Sequence, residues 1–314
     1  DVVIEEKQTV DARSPTGKKI WETFINLVEY RIYNDLRRGW RVVQPNLEQC
    51  GLLKIKYEGL DELCLDDEKW KDVEALSNLS PDVLKEILKT ILDHFRKKLA
   101  IKTQFLEETE QQQLKRRVNE NINEPWGFER TEWLRPAFRF LLPDSKSNRT
   151  VRGGSLSERS LIGRYIIRKL KLSVEEYRET IQGVIDNLCS YGLLIRGQEG
   201  KVDFVQLGAS SLVWCLGDGV PPSPDPIYTR RVQSPLYISA QRESNRFFSE
   251  FYRNVALNLK RVEGREHTAQ VSYGERQERE EQFRKGELSC LFCSPTMELG
   301  IDISDLQVVH MRNV

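Results

Sequence analysis

The sequence contains no Gly-x-x-x-x-Gly-Lys-Ser/Thr stretch, so it lacks the loop whose backbone N–H groups cradle nucleotide phosphates. Asp66-Asp-Glu-Lys lies in polar surroundings rather than at the end of an apolar strand, which excludes it as an acidic metal-binding strand end. No run of about eighteen apolar residues occurs, so no segment is suited to cross a membrane as a helix. Charge of one sign is also missing, since 48 Lys and Arg balance 48 Asp and Glu. A grip on nucleic acid must therefore come from local clustering rather than from the net field. The N-terminus, Asp1-Val-Val-Ile-Glu-Glu, has no basic region followed by an apolar core and does not read as a secretory signal. It also lacks an initiator Met, and the expectation is a piece of a longer, cytoplasmic protein.

Cysteine is sparse and scattered. The six residues, Cys50, Cys64, Cys189, Cys215, Cys290 and Cys293, lie in segments with apolar cores of their own, which does not suggest a disulfide scaffold. Cys290-Leu-Phe-Cys293 has the spacing of a zinc or redox pair, but no second Cys-x-x-Cys and no His-x-x-x-His completes a four-ligand site. On a strand, positions three apart point to opposite faces. The better reading is a buried strand carrying two small thiols, with no metal site.

What is present is an ordinary globular composition, 39% hydrophobic and 31% charged, over a length that can hold two or three domains. Residues 1–20 read as polar and irregular, with Ser14-Pro-Thr-Gly17 as punctuation. Ile20, Phe24, Leu27, Val28, Ile32 and Leu36 recur at helical spacing, and Gly39 would end that helix. Ser80-Pro81 is a helix start, followed by an apolar stripe from Val83 to Leu99 that must pack on other helices. Gln111 to Arg117 reads as a basic, solvated helix face. Pro125 to Phe140 interleaves tryptophans and phenylalanines with arginines. Two readings stay open there: a stacking and phosphate-pairing surface for single-stranded nucleic acid, or a short helix with Trp133 and Phe138 inward.

Residues 144–155 are a loop by composition and a predicted domain boundary. The segment beyond that loop resembles a winged helix. Leu161, Ile162, Tyr165, Ile166 and Leu170 outline one helix, and Ser173-Val-Glu-Glu176 is a capping box for the next. The second helix would bury Tyr177, Ile181, Val184, Ile185 and Leu188 and close at Gly192. Leu193 to Gln206 has strand, turn and strand composition, which would form the wing. The second helix carries Glu175, Glu176, Glu179 and Asp186, which repel phosphates. The first is the basic one, so contacts to a nucleic-acid backbone fall on Arg164 and Arg168. Val220-Pro-Pro-Ser-Pro-Asp-Pro226 reads as a semi-rigid linker. Beyond it, Ser244 to Leu259 reads as a helix with Phe247, Phe248, Phe251 and Val255 inward, leading to a strand over His267–Ser272.

The last quarter carries the most specific pattern. The charged stretch Gly274 to Gly286 reads as an exposed helix closed by glycine. Leu288-Ser-Cys-Leu-Phe-Cys293 reads as a buried strand, and Asp305 to Val314 as a loop and a further strand. Between them stands Ser294-Pro-Thr-Met-Glu-Leu-Gly-Ile-Asp-Ile-Ser304. This order resembles the second RecA-like motor domain of superfamily 2 helicases, in which a helix R-x-x-x-E-x-F-x-x-G leads into a strand ending in motif V. Arg276, Glu280, Phe283 and Gly286 match the helix; Ser294 stands where the family usually has Thr, and Gly300-Ile-Asp-Ile303 matches the end of the motif. The wording Met-Glu-Leu-Gly-Ile-Asp looks most like large bacterial helicases of the Lhr type and of the DISARM phage-defence type.

The resemblance implies a fold, a set of roles and a set of partners. The fold class is mostly α with α/β: a helical insertion over 1–150, a winged-helix-like domain over 151–219, and a partial RecA-like parallel sheet over 226–314. Ser294, with Pro295 and Thr296 beside it, would meet a nucleic-acid phosphate. Gly300 and Asp302 would lie at the nucleotide cleft between motor domains. The complete parent would be an ATP-dependent helicase using ATP and Mg, with nucleic acid, specifically DNA, as partner, together with a first RecA-like domain and a possible partner subunit. The piece alone, without Walker motifs and the arginine-rich motif VI, is expected to bind no cofactor and to hold no catalytic residue. The alternative is a winged-helix binding or interaction module with no motor activity.

Overall fold

Helix α5 (Pro81–Lys97) is the element around which the first part of the chain is built. Leu84, Ile87, Leu88, Ile91, Leu92 and Phe95 follow helical spacing, and each is at most 3% exposed. Burial of such side chains is worth about 2 kcal/mol apiece, so this stripe dominates the local energetics. One hydrophobic cluster runs from Ile20 to Ile227 and includes all six. The computed structural model describes residues 13–37, 44–123, 126–129, 132–143, 153–228, 244–257, 264–267, 271–286, 288 and 290–293. The chain divides into two units, residues 1–249 and 250–314. The described fold is mostly helical with mixed α/β sheets.

Helix α1 (Pro15–Asp35) begins five residues earlier than its apolar pattern predicts. Ser14 Oγ accepts from the Gly17 N–H at 2.9 Å and Pro15 takes the first turn, so the supposed punctuation is a helix cap. Ile20, Leu27 and Tyr30 are buried as the spacing requires, but Val28 and Ile32 are exposed. They belong to a second apolar line with Trp21 and Ile25, on the face away from the core. Gly39, the predicted end of this helix, lies outside the described residues.

Short helices α2 (Leu60–Leu65), α3 (Asp67–Trp70) and α4 (Glu74–Ser77) lead into α5, and α6 (Glu108–Asn121) comes after it. Strand β1 (Leu53–Tyr57) pairs antiparallel with β7 (Leu212–Leu216). The larger sheet holds β2 (Ile101–Lys102), β3 (Arg139–Leu141), β4 (Gly153–Ser155), β5 (Leu194–Glu199) and β6 (Val202–Gly208). β5 and β6 form a hairpin through Gly200, whose φ of 62° suits the turn. β6 also pairs antiparallel with β3 and parallel with β2, while β3 and β4 pair in parallel. Strands on both sides of the polar 144–155 stretch thus pair directly. That stretch lies within one sheet rather than between domains, because the core on either side is shared.

Helices α7 (Leu161–Leu170) and α8 (Val174–Ser190) precede the hairpin. The capping box at Ser173 and Glu176 is formed, and Tyr177, Ile181, Val184, Ile185 and Leu188 are all buried. The Tyr177 hydroxyl donates to the Leu156 carbonyl at 2.6 Å, tying α8 to the end of β4. Gly192, with φ of 71°, turns the chain out of α8.

The proline-rich stretch is not a free spacer. Asp225 pairs with Lys97 at 3.1 Å, Ile227 enters the core, and Tyr228 packs on His94 with ring centroids 5.8 Å apart. Helix α9 (Arg246–Leu257) corrects another expectation: Phe247, Phe251 and Val255 are exposed, and only Phe248 is half-buried. The helical spacing is real, but it does not settle which face is covered.

Candidate motor strand and nucleic-acid interface

The second unit is built from β8 (Gly264–His267), α10 (Tyr273–Arg284) and β9 (Cys290–Cys293). β8 and β9 pair in parallel, with Gly264 opposite Cys290 and His267 opposite Cys293. A parallel pair needs a crossover, and α10 lies between them in sequence. Ser272 opens α10 with a capping box to Glu275, and Gly286, at φ of 71°, comes just after its C-cap Lys285. β8 ends at His267, where the sequence predicts a strand to begin. Gly264-Arg-Glu-His has no apolar alternation, so its strand character comes from pairing with β9.

The resemblance places Arg276, Glu280, Phe283 and Gly286 on one pattern, and the structure sets them along α10 and at its end. His267 Nε2 lies 2.7 Å from Glu280 Oε1, with the His267 ring almost fully buried. The crossover helix is thereby tied to the carboxyl end of β8. The Arg276 guanidinium stands over the Tyr273 ring at 5.9 Å. β9 ends at Cys293, and the chain continues directly into Ser294. Ser294, Pro295, Thr296, Gly300 and Asp302 lie outside the described residues, as does the strand predicted over 305–314.

In the first unit, Ser160 caps α7 by accepting from the Gly163 N–H at 2.9 Å. Arg164 and Arg168, four residues apart on this helix, are both exposed. Neither takes an ion pair among the described residues. Their basic neighbour Lys169 is engaged by Glu86 at 2.9 Å. Arg159 precedes the cap and stands 93% exposed. On α8, Glu175, Glu176, Glu179 and Asp186 are exposed, with Asp186 paired to Arg196.

Residues 232–314 match the helicase conserved C-terminal domain. The match covers the whole second unit and supports a protein of the helicase families. No curated protein and no solved structure matches the chain. The helicase C-terminal match brings β8, α10 and β9 under one family, together with the motif directly after β9.

Sequence reasoning misses two features of the helicase C-terminal segment and its neighbour unit. The Ser272–Glu275 capping box was legible as Ser-x-x-Glu ahead of α10. A buried charge cluster had no such signal. Arg96, fully buried, donates to Glu48 through both terminal nitrogens at 3.0 and 2.9 Å, to Asp93 at 3.1 Å, and through Nε to the Tyr57 hydroxyl at 3.2 Å. Tyr57 donates in turn to Asp93 at 2.8 Å. Burial alone would raise Asp93, but Arg96, Lys89 and Lys97 overcome it and bring the carboxyl down to about 2. Every donor has an acceptor, so the cluster reads as a structural knot. Among the described residues no group of three His, Cys, Asp or Glu side chains could hold a metal ion. Burial pushes the Cys64 thiol up to about 11, which makes it an inert packing residue.

Proposed function

We propose that the chain is part of an ATP-dependent nucleic-acid helicase or translocase of superfamily 2, contributing its second RecA-like motor domain with motif V. The observation that carries this reading is the parallel β8–α10–β9 unit whose last strand ends at Cys293, immediately before Ser294. Parallel α/β sheets bind their ligands beyond the carboxyl ends of the strands. Ser294 to Ile303 leaves β9 at that end. Within the reading, the Ser294 hydroxyl and backbone N–H, with Pro295 and Thr296 beside it, take a nucleic-acid phosphate. Gly300 permits close backbone approach, and the Asp302 carboxylate faces the nucleotide cleft.

Bound ATP with Mg would supply the free energy that switches the motor between strand-gripping states. The donor set fits that role in kind, with a hydroxyl for a phosphate and a carboxylate for a ribose hydroxyl or Mg. The phosphate-cradling loop would come from a first RecA-like domain. In the first unit, α7, α8 and the β5–β6 hairpin against β3 support a winged-helix-like reading, with Arg164 and Arg168 on phosphates. The Lhr-type or DISARM-type assignment, with phage defence and a partner subunit, rests on the Met297 to Asp302 wording alone.

The test is nucleic-acid-stimulated ATP turnover by the complete motor carrying this chain. Ser294→Ala and Asp302→Ala each lower it by about tenfold or more. Turnover unchanged in both variants favours the second reading, a winged-helix binding module. Its supporting observation is the exposed Arg164–Arg168 pair in the first unit.

A further inference from the structure

Trp133 is the most exposed large aromatic side chain among the described residues, at 73%. Its backbone is the opposite of free. Arg31 pairs with the Glu132 carboxylate, Nη2 to Oε2 at 2.9 Å, and Lys115 Nζ donates to the Glu132 carbonyl at 2.7 Å. The Arg135 N–H donates to the Tyr30 hydroxyl at 3.1 Å, and Gln111 Nε2 donates to the Arg135 carbonyl at 2.8 Å. Further along, the Ala137 and Phe138 N–H groups donate to Leu106 and Leu99 at 2.7 and 2.9 Å. The core therefore fixes the segment on both sides of an indole that it leaves in solvent. A partner that stacks on it meets a surface whose ordering cost has already been met.

The surroundings select the partner. Lys115 begins the run Lys115-Arg-Arg117 on α6, and its contact with Glu132 sets that run beside Trp133. Arg116 is exposed, Arg135 lies two residues beyond the indole, and Glu132 is neutralised by Arg31. Glu129 is the exposed carboxylate of the segment. A protein hot spot would sit in a contiguous apolar patch, such as Trp21, Ile25, Val28 and Ile32 make on α1. One isolated indole ringed by cations suits a base and its flanking phosphates, since every base offers a π-face.

We propose that Trp133 is a stacking platform for one base of single-stranded nucleic acid, with Lys115, Arg116 and Arg135 meeting the adjacent phosphates. The assignment rests on the reading of the chain as part of a nucleic-acid motor and adds to it a contact on the first unit.

The experiment is fluorescence anisotropy of a labelled oligo-dT strand with the full chain at low and moderate salt. Trp133→Ala weakens binding by about 5- to 100-fold, the range of one base–aromatic stack, while Trp133→Phe stays within about threefold of wild type. Binding to a duplex of the same length changes by less than about twofold, because its bases are already stacked. Equal melting temperatures of wild type and Trp133→Ala exclude a folding effect. Wild-type affinity in Trp133→Ala, or no single-strand binding by the wild-type chain, overturns the platform. So does a Trp133→Ala variant that keeps its affinity but changes oligomeric state, which would make the indole a protein contact. The motor reading is judged separately, by ATP turnover in Ser294→Ala and Asp302→Ala.

Discussion

His267 Nε2 and Glu280 Oε1 stand 2.7 Å apart, joining the last residue of β8 to the middle of the crossover helix α10. The His267 ring is almost entirely buried and Glu280 is about a quarter exposed, so the contact is screened less than a surface pair. It fixes the helix against the strand pair that leads into Ser294. Glu280→Ala removes the acceptor from a buried imidazole and destabilises the second unit by about 1–3 kcal/mol. Glu280→Gln keeps an acceptor and costs less. Hydrogen exchange of the β8 and β9 amides measures this, with the amides of α5 as an internal reference. Unchanged protection in Glu280→Ala would mean that the contact holds nothing.

Asp93 makes the stability of the first unit acid-sensitive. Its folded carboxyl is held at about 2, below the unfolded value of about 3.9, so its contribution is fully present above about pH 4. Stability is lost as the pH falls from about 4 towards 2, on the order of 2 kcal/mol in all. Urea midpoints between pH 5 and pH 2 read this out. Asp93→Asn flattens the profile in that window; an equally steep profile in the variant would place the acid sensitivity elsewhere.

Arg96 is the other half of that knot. Its guanidinium is wholly buried and holds Glu48, Asp93 and Tyr57 together, which ties the 44–50 turn and β1 to α5. Arg96→Met leaves two carboxylates without their shared cation and costs about 3–5 kcal/mol. The urea midpoint at neutral pH falls accordingly. A loss under about 1 kcal/mol would show that water replaces the guanidinium freely.

Close packing sets the next expectation. A Cβ on Gly163 would stand 2.3 Å from the Ser157 carbonyl oxygen and 2.8 Å from Glu158 Cα, both backbone atoms. Alanine ordinarily favours a helix over glycine by about 1 kcal/mol. Here the clash outweighs that gain, and Gly163→Ala lowers stability by about 1–3 kcal/mol. Thermal unfolding measures the sign, and a raised melting temperature would show that the 157–158 turn yields.

The elements readable in the sequence are those where local signals and tertiary packing agree. The stripe of α5, the capping box at Ser173 and the β5–β6 hairpin stand where their residues predict. Val28, Ile32, Phe247 and Phe251 fail for one reason: periodicity reports that a face is apolar, not that something covers it. β8 could not be placed because Gly264 to His267 has no apolar alternation, and only its pairing with β9 makes it a strand. The sheet crossing residue 150 was hidden because β3 and β4 are three residues each. Of the candidate site, Arg164 and Arg168 are exposed as their helix pattern requires. Trp133 was legible only as one of two readings, since sequence gives an aromatic's neighbours but not its exposure.

Arg164 and Arg168 bear on how the first unit meets a polyanion. With zero net charge on the chain, long-range attraction is weak, and binding depends on the number of phosphates actually paired. Each pairing releases a condensed counterion, so the logarithm of affinity falls with the logarithm of salt by about 0.9 per phosphate on duplex and about 0.7 on single strands. Arg164→Gln and Arg168→Gln should each reduce that slope by about 0.7 to 0.9 and lower affinity alike for every sequence tested. Exposed side chains this far from the core leave the melting temperature unchanged within about 0.5 kcal/mol. Anisotropy titrations at several salt concentrations give the slope directly. A slope unaltered in the double variant would take α7 off the phosphate track and leave the Lys115–Arg117 run and motif V to supply it.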